Sequence, residues 1–68
     1  MVPDPREQPT LAVEDAGRIF WNFSRSKAYA EARRYELTGG AEGLPVVRFG
    51  RSLRAITAEC LRLCGLDP

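Results

Sequence analysis

Sixty-eight residues with a net charge of +1, two cysteines and no histidine allow one domain with a small core and leave catalysis without its commonest general base. No apolar run approaches the roughly 20 residues of a membrane span, and no basic segment precedes an apolar one at the start, so neither membrane contact nor secretion is expected and the expected compartment is the cytoplasm. The charge is unevenly spread: residues 1–17 carry four carboxylates against Arg6, a balance of −3, while residues 18–62 carry eight arginines and Lys27 against four glutamates, a balance of +5, so the middle suits a phosphate backbone.

Residues 1–9 hold three prolines and little that is apolar. Such a segment cannot offset its own ordering entropy and is expected to be a flexible tail, with the domain spanning residues 10–66. A first helix is expected over residues 13–20, because Val13, Ala16, Gly17 and Phe20 follow the i, i+3, i+4, i+7 pattern of one buried face. Glu14 and Asp15 fall in its first turn, where the helix dipole favours negative charge. Trp21-Asn22-Phe23 ends it, since asparagine tolerates the left-handed conformation of a tight turn. Phe20 and Trp21 are read as core rather than as a binding surface.

Ser24 is suited to cap a second helix over residues 25–35. At about 100° per residue, Ala28, Tyr29 and Ala32 cluster on one side and Ser26, Lys27, Ala30 and Arg34 on the other. The small inward residues allow close packing against the first helix. The first turn carries Arg25 and Lys27 and no acid, the wrong sign for the dipole, which makes sense if an external anion such as a DNA phosphate lies near this end. Arg33 is spaced to pair with Glu36 at i, i+3. Two helices joined by a short turn, the second exposing basic and small polar groups, form the helix-turn-helix layout.

Residues 38–43 contain three glycines and read as a flexible loop. A strand is expected over residues 44–48, a turn at Phe49-Gly50-Arg51 and a return strand from Ser52 to Ile56. A three-residue loop pairs Val47 with Leu53 on an apolar face and Arg48 with Ser52 on the other, leaving a basic rim of Arg48, Arg51 and Arg54; a two-residue loop mixes the faces, so the longer loop is expected. Thr57 is placed to cap a third helix over residues 58–64, with Gly65 past its end. Cys60, Leu61 and Cys64 are expected to close the core. Two thiols without histidine are too few for a zinc site, and no metal is expected.

No carboxylate pair is set across a cleft, and the glycine loop lacks the lysine and hydroxyl of a phosphate-binding loop and follows no strand. Neither catalysis, a cofactor nor a small-molecule ligand is expected. The expected fold is α+β, mainly helical: a winged helix-turn-helix with a two-helix reader, a β-hairpin wing and a short C-terminal helix. The candidate DNA-facing residues are Ser24, Arg25, Ser26, Lys27, Ala30, Arg33 and Arg34 on the reading helix, and Arg48, Gly50, Arg51, Ser52 and Arg54 on the wing. Nine of the ten cations are arginines, whose planar fork suits phosphates and guanines.

Four stretches carry a family resemblance: Leu11-Ala12-Val13-Glu14-Asp15-Ala16, Ser24-Arg25-Ser26-Lys27-Ala28-Tyr29, Glu36-Leu37 and Val47-Arg48-Phe49-Gly50-Arg51-Ser52-Leu53-Arg54. In this order they resemble the small winged-helix excisionases, which are related to the DNA-binding end of MerR-type regulators. The resemblance covers residues 10–64. It implies a reading helix in the major groove, matched by Arg25, Ser26, Lys27 and Arg34, and a wing whose arginine enters the neighbouring minor groove, matched by Arg48, Arg51 and Arg54. It further implies a recombination directionality factor of a phage or mobile element acting in a bacterial host cell. Such a factor binds repeated double-stranded DNA sites beside an attachment site with cooperative self-association, bends the DNA and directs an integrase toward excision. Other members of the group regulate transcription. The chain departs from the family pattern at Ala12, where a serine or threonine usually caps the first helix, at Tyr35, where a glycine commonly ends the second, and in the inserted loop at residues 38–43.

Overall fold

The computed structural model describes residues 2–65. Met1 of the expected tail and Leu66, the expected last residue of the domain, lie outside that range. Three helices and a three-stranded antiparallel sheet follow one another as β1 (Thr10–Ala12), α1 (Val13–Trp21), α2 (Arg25–Leu37), β2 (Val46–Phe49), β3 (Ser52–Ile56) and α3 (Thr57–Leu63), with sheet order β1-β3-β2. This is an α+β architecture. No helix among the described residues is long and apolar enough to cross a membrane.

The first helix forms on the expected face, with Val13, Ala16 and Gly17 buried. Ala12 stands at its N-cap and makes no side-chain cap bond, so the acids Glu14 and Asp15 alone complement the dipole there. Asn22 takes φ 56° and turns the chain, and its N–H returns to the carbonyl of Arg18 at 3.1 Å. The Ser24 hydroxyl then accepts the Lys27 N–H at 3.2 Å and caps α2. That helix continues two residues beyond the expected end, to Leu37. Thr38 closes it by donating from its hydroxyl to the Arg34 carbonyl at 2.9 Å.

The two helices cross very closely. Ala16, Ala28 and Ala32 are fully buried, and a Cβ added to Gly17 would lie 2.5 Å from the Cβ of Ala28. Only a hydrogen at position 17 leaves room for the second helix. Tyr29, expected beside Ala28 on the inward side, is instead 40 % exposed. It lies about 100° round the helix from Ala28, which turns its ring from α1 toward the hairpin side.

Residues 38–43, expected as a flexible loop, fold back on α2. The Thr38 hydroxyl donates to the Glu42 carbonyl and accepts the Glu42 N–H, each at 3.1 Å. Gly43, at φ 104°, lies so close to α2 that a Cβ there would collide with the carbonyl oxygen of Glu31. That carbonyl accepts the Leu44 N–H at 3.0 Å, which delivers Leu44 and Pro45 into the core.

The hairpin corrects the expected register. Its turn has two residues, Gly50 and Arg51, so Val47 pairs with Arg54, Arg48 with Leu53 and Phe49 with Ser52. Gly50 takes φ 61° at the first central position, the requirement of a type II′ turn, whose twist matches the flanking strands. This register puts Ala55 opposite Val46; the longer loop would have put Arg54 there, on the core face. Leu11, Ala55 and Val46 form one buried row across the three strands. The mixed pair Val47–Arg54 lies on the outer face, where the Arg54 stem runs along the sheet and its guanidinium donates to the Thr10 hydroxyl at 3.3 Å and carbonyl at 3.4 Å. The strand β1 was not expected from the sequence: three residues give too little alternation to read.

Thr57, expected as a cap, is the first residue of α3 and makes no cap bond. It is fully buried. Its hydroxyl donates to the Gln8 carbonyl and its N–H to the Pro9 carbonyl, pinning the chain just ahead of β1. Cys60 is buried, Cys64 is half-buried, and both thiols are free.

Two outcomes are expected. Gly17→Ala destabilises the fold, because overpacking of about 1–3 kcal/mol exceeds the helix-propensity gain of up to about 1 kcal/mol; Ala28→Gly added to it recovers more than the sum of the single changes in a denaturant-melt cycle. Burial pushes the Cys60 thiol from its ordinary 9.0 up to about 12. The unfolded chain therefore releases this proton first, so stability is full below about pH 9 and declines as the pH rises toward about 12. Denaturant midpoints between about pH 8 and about pH 11 are expected to fall more steeply for the natural chain than for Cys60→Ala.

Candidate nucleic-acid interface

The outer surface of α2 is set by what the helix buries. Ala28, Ala32 and Tyr35 turn toward the core, so a helix of 3.6 residues per turn presents Ser26, Ala30, Arg33 and Leu37 directly outward. Arg25, Tyr29 and Glu36 flank that stripe on the hairpin side. Lys27, Glu31 and Arg34 flank it on the loop side. Ser24 and Ser26 are exposed at the start of the helix, and no acid occupies the first turn.

An open groove separates α2 from the hairpin. Tyr29, Arg33, Glu36, Leu37, Arg48 and Leu53 line one part of it. Arg51, Ser52 and Arg54 line a second part, which shares Tyr29 and Leu53 as walls. Gly50 and Arg51 stand exposed at the tip. The structure thus brings Arg33 and the hairpin residues Arg48, Arg51, Ser52 and Arg54 around one groove. It places Lys27 and Arg34 on the far flank of α2.

Ion pairing divides these cations further. Arg25 meets Glu14 at 3.2 Å and lies 5.7 Å from the centre of the Tyr29 ring. Lys27 meets Glu31 at 3.3 Å and lies over Phe23. Arg34 bridges Glu31 at 3.4 Å and Glu42 at 2.9 Å, and the Glu42 hydrogen bond is the main cause of its raised pKa. Arg48 grips Glu36 through two parallel bonds of 2.9 Å. That hydrogen bond lowers the Glu36 pKa and raises the Arg48 pKa. The expected Arg33–Glu36 pair is therefore absent: the Glu36 carboxylate already faces the fork of Arg48, which matches its two oxygens.

Among the described residues, seven of the ten cations lie within 4.0 Å of a carboxylate. The remaining three are Arg33, Arg51 and Arg54: Arg33 lines the groove beside Glu36, Arg51 lies at its hairpin end, and Arg54 borders it from the outer face of the sheet. Arg54 is partly buried and bonded to Thr10, whereas Arg33 and Arg51 are exposed. The pairs on the flanks are exposed, so solvent screens them and a competing anion can displace them.

Three residues of this surface escaped the sequence reading. Tyr29 has the wheel position of the inward side but is exposed. Glu36, twelve positions from Arg48, reaches it only through the fold. Phe49 reads as part of a turn from the sequence but ends β2. Comparison with known protein families, with curated proteins and with solved structures finds no match.

Proposed function

We propose that this chain is a DNA-binding module of winged helix-turn-helix type and not an enzyme. The outer stripe of α2 reads the major groove, and the β2–β3 hairpin reaches as a wing toward the neighbouring minor groove. The observation that carries this reading is the placement of Arg33, Arg51 and Arg54. They are the three cations with no carboxylate within 4.0 Å among the described residues, and they line the two parts of one groove beside an exposed helix face. A surface tuned only for solubility has no reason to collect the arginines that lack a close carboxylate on one side. The acid-free first turn of α2 supports the same reading, since a phosphate there would meet both the helix dipole and the basic side chains.

Within that class, the resemblance of residues 10–64 to excisionases supports a role as a recombination directionality factor. Such a factor occupies repeated sites, bends the DNA and biases an integrase toward excision. A single module of this size buries a modest interface and binds one site weakly, so adjacent copies acting together supply the useful affinity. The partners proposed are double-stranded DNA, the integrase and further copies of the chain.

A salt titration of duplex binding tests the reading. The logarithm of the affinity is expected to fall linearly with the logarithm of salt concentration. Arg33→Ala and Arg51→Ala are each expected to make that slope shallower by about one. Glu36→Gln, which frees Arg48, is expected to tighten binding. Absence of binding to any duplex at low salt overturns the proposal, and excision unchanged by the protein in an assay with the cognate integrase overturns the directionality role alone.

A further inference from the structure

Phe49 has no structural use that the fold reveals. Its side chain is 63 % exposed, at the last position of β2 and directly before the turn. The two-residue turn pairs it with Ser52, on the outer face of the sheet rather than on the face that carries Leu11, Val46 and Ala55. Gly50 follows at φ 61°, and the space a Cβ would occupy there is open to 4 Å. Leaving a phenylalanine in water at a hairpin tip forgoes the burial that normally makes this side chain worth having.

The surroundings identify the polarity of what the ring meets. No acidic residue occurs between Gly43 and Glu59, while Arg48, Arg51 and Arg54 all fall there. Arg51, two positions from Phe49, is exposed and has no carboxylate within 4.0 Å among the described residues. An exposed apolar ring on a projecting tip beside an unneutralised arginine is complementary to a polyanion with an apolar interior. Duplex DNA offers both, because its base steps are apolar and its groove edges are lined with phosphates. Apolar wedges that enter base steps from the minor groove unstack and kink the duplex.

We propose that Phe49 is such a wedge. With the hairpin tip in the minor groove, the ring enters a base step and unstacks it, while Arg51 holds the flanking backbone. This rests on the DNA-binding reading above and adds a bending residue to it. Flexible pyrimidine–purine steps are the cheapest to open, so the wedge favours sites that carry such a step beneath the hairpin. The two-residue turn serves this geometry: it places Phe49 and Ser52 side by side at the very end of the ladder, with only Gly50 and Arg51 beyond them.

The test uses duplexes that the protein itself selects from a random pool, with 2-aminopurine beside each pyrimidine–purine step and a dye at each end. Binding by the natural chain is expected to raise 2-aminopurine fluorescence at one step and to shorten the end-to-end distance. Phe49→Ala is expected to lose both signals and about tenfold in affinity, with the salt slope retained because no charge is removed. Phe49→Leu, which keeps an apolar wedge, is expected to retain most of both signals. Because residue 49 is exposed, thermal melts of the two variants are expected to match that of the natural chain. Binding by Phe49→Ala with undiminished unstacking and bending overturns the wedge and leaves the DNA reading standing. So does a variant that bends each single site normally but loses only the cooperative filling of adjacent sites, which would assign Phe49 to contacts between copies. Absence of any duplex binding by the natural chain overturns both.

Discussion

The approach of Gly17 to Ala28 governs the geometry of everything else. A Cβ at position 17 would lie only 2.5 Å from that of Ala28, so α1 and α2 meet nearly backbone to backbone. Large side chains cannot mediate this crossing, and the short turn at Asn22 leaves no slack to relieve a wider one. Because Ala28 and Ala32 are consumed by the crossing, the opposite stripe of α2, with Ser26, Ala30 and Arg33, is fixed toward solvent. The same helix receives the returning chain at Glu31, where the tightness of Gly43 and the Leu44 hydrogen bond set the origin of the hairpin. The distance and tilt between the exposed helix face and the hairpin tip thus trace back to two places where only glycine leaves enough room.

On this frame the charges are sorted rather than merely accumulated. The excess of arginine in the middle of the chain overstates the positive surface, because Glu14, Glu31, Glu36 and Glu42 neutralise Arg25, Lys27, Arg34 and Arg48. The cations left without a carboxylate within 4.0 Å among the described residues border the groove between α2 and the hairpin. For a DNA-binding role, this arrangement holds sequence-independent attraction down, since each flanking cation must first leave a carboxylate. The Glu36–Arg48 clasp also joins the hairpin to α2.

Local chemistry made much of this legible. The spacing of Val13, Ala16 and Gly17, the cap at Ser24, the left-handed Asn22 and the small inward face of α2 all act within a few residues, and each is found as expected. The misreadings come from long-range terms. The hairpin register could not be settled from the loop alone, because what decides it is Ala55 packing beside Leu11 and Val46. The strand β1 exists only because β3 offers it an edge. Thr57 has the side chain of a cap but is committed to Gln8, far away in sequence. At the interface, the basic residues themselves were readable, but their pairing was not. Whether an arginine is free depends on carboxylates brought in by the fold, as Glu36 is to Arg48. Phe49 is hard to read from sequence because turns are marked by glycine and charge, whereas its exposure is a property of the folded hairpin.

The most direct test of the proposed surface is a map of backbone amide shifts as a short duplex is added at low salt. The expected result is movement of the Ser26, Ala30 and Arg33 amides on α2 together with Gly50 and Arg51 on the hairpin, while Trp21, Phe23 and Leu63 on the opposite side stay in place. Shifts confined to Trp21, Phe23 and Leu63, or no shifts at all, would contradict the assignment of the groove between α2 and the hairpin as a DNA-binding surface.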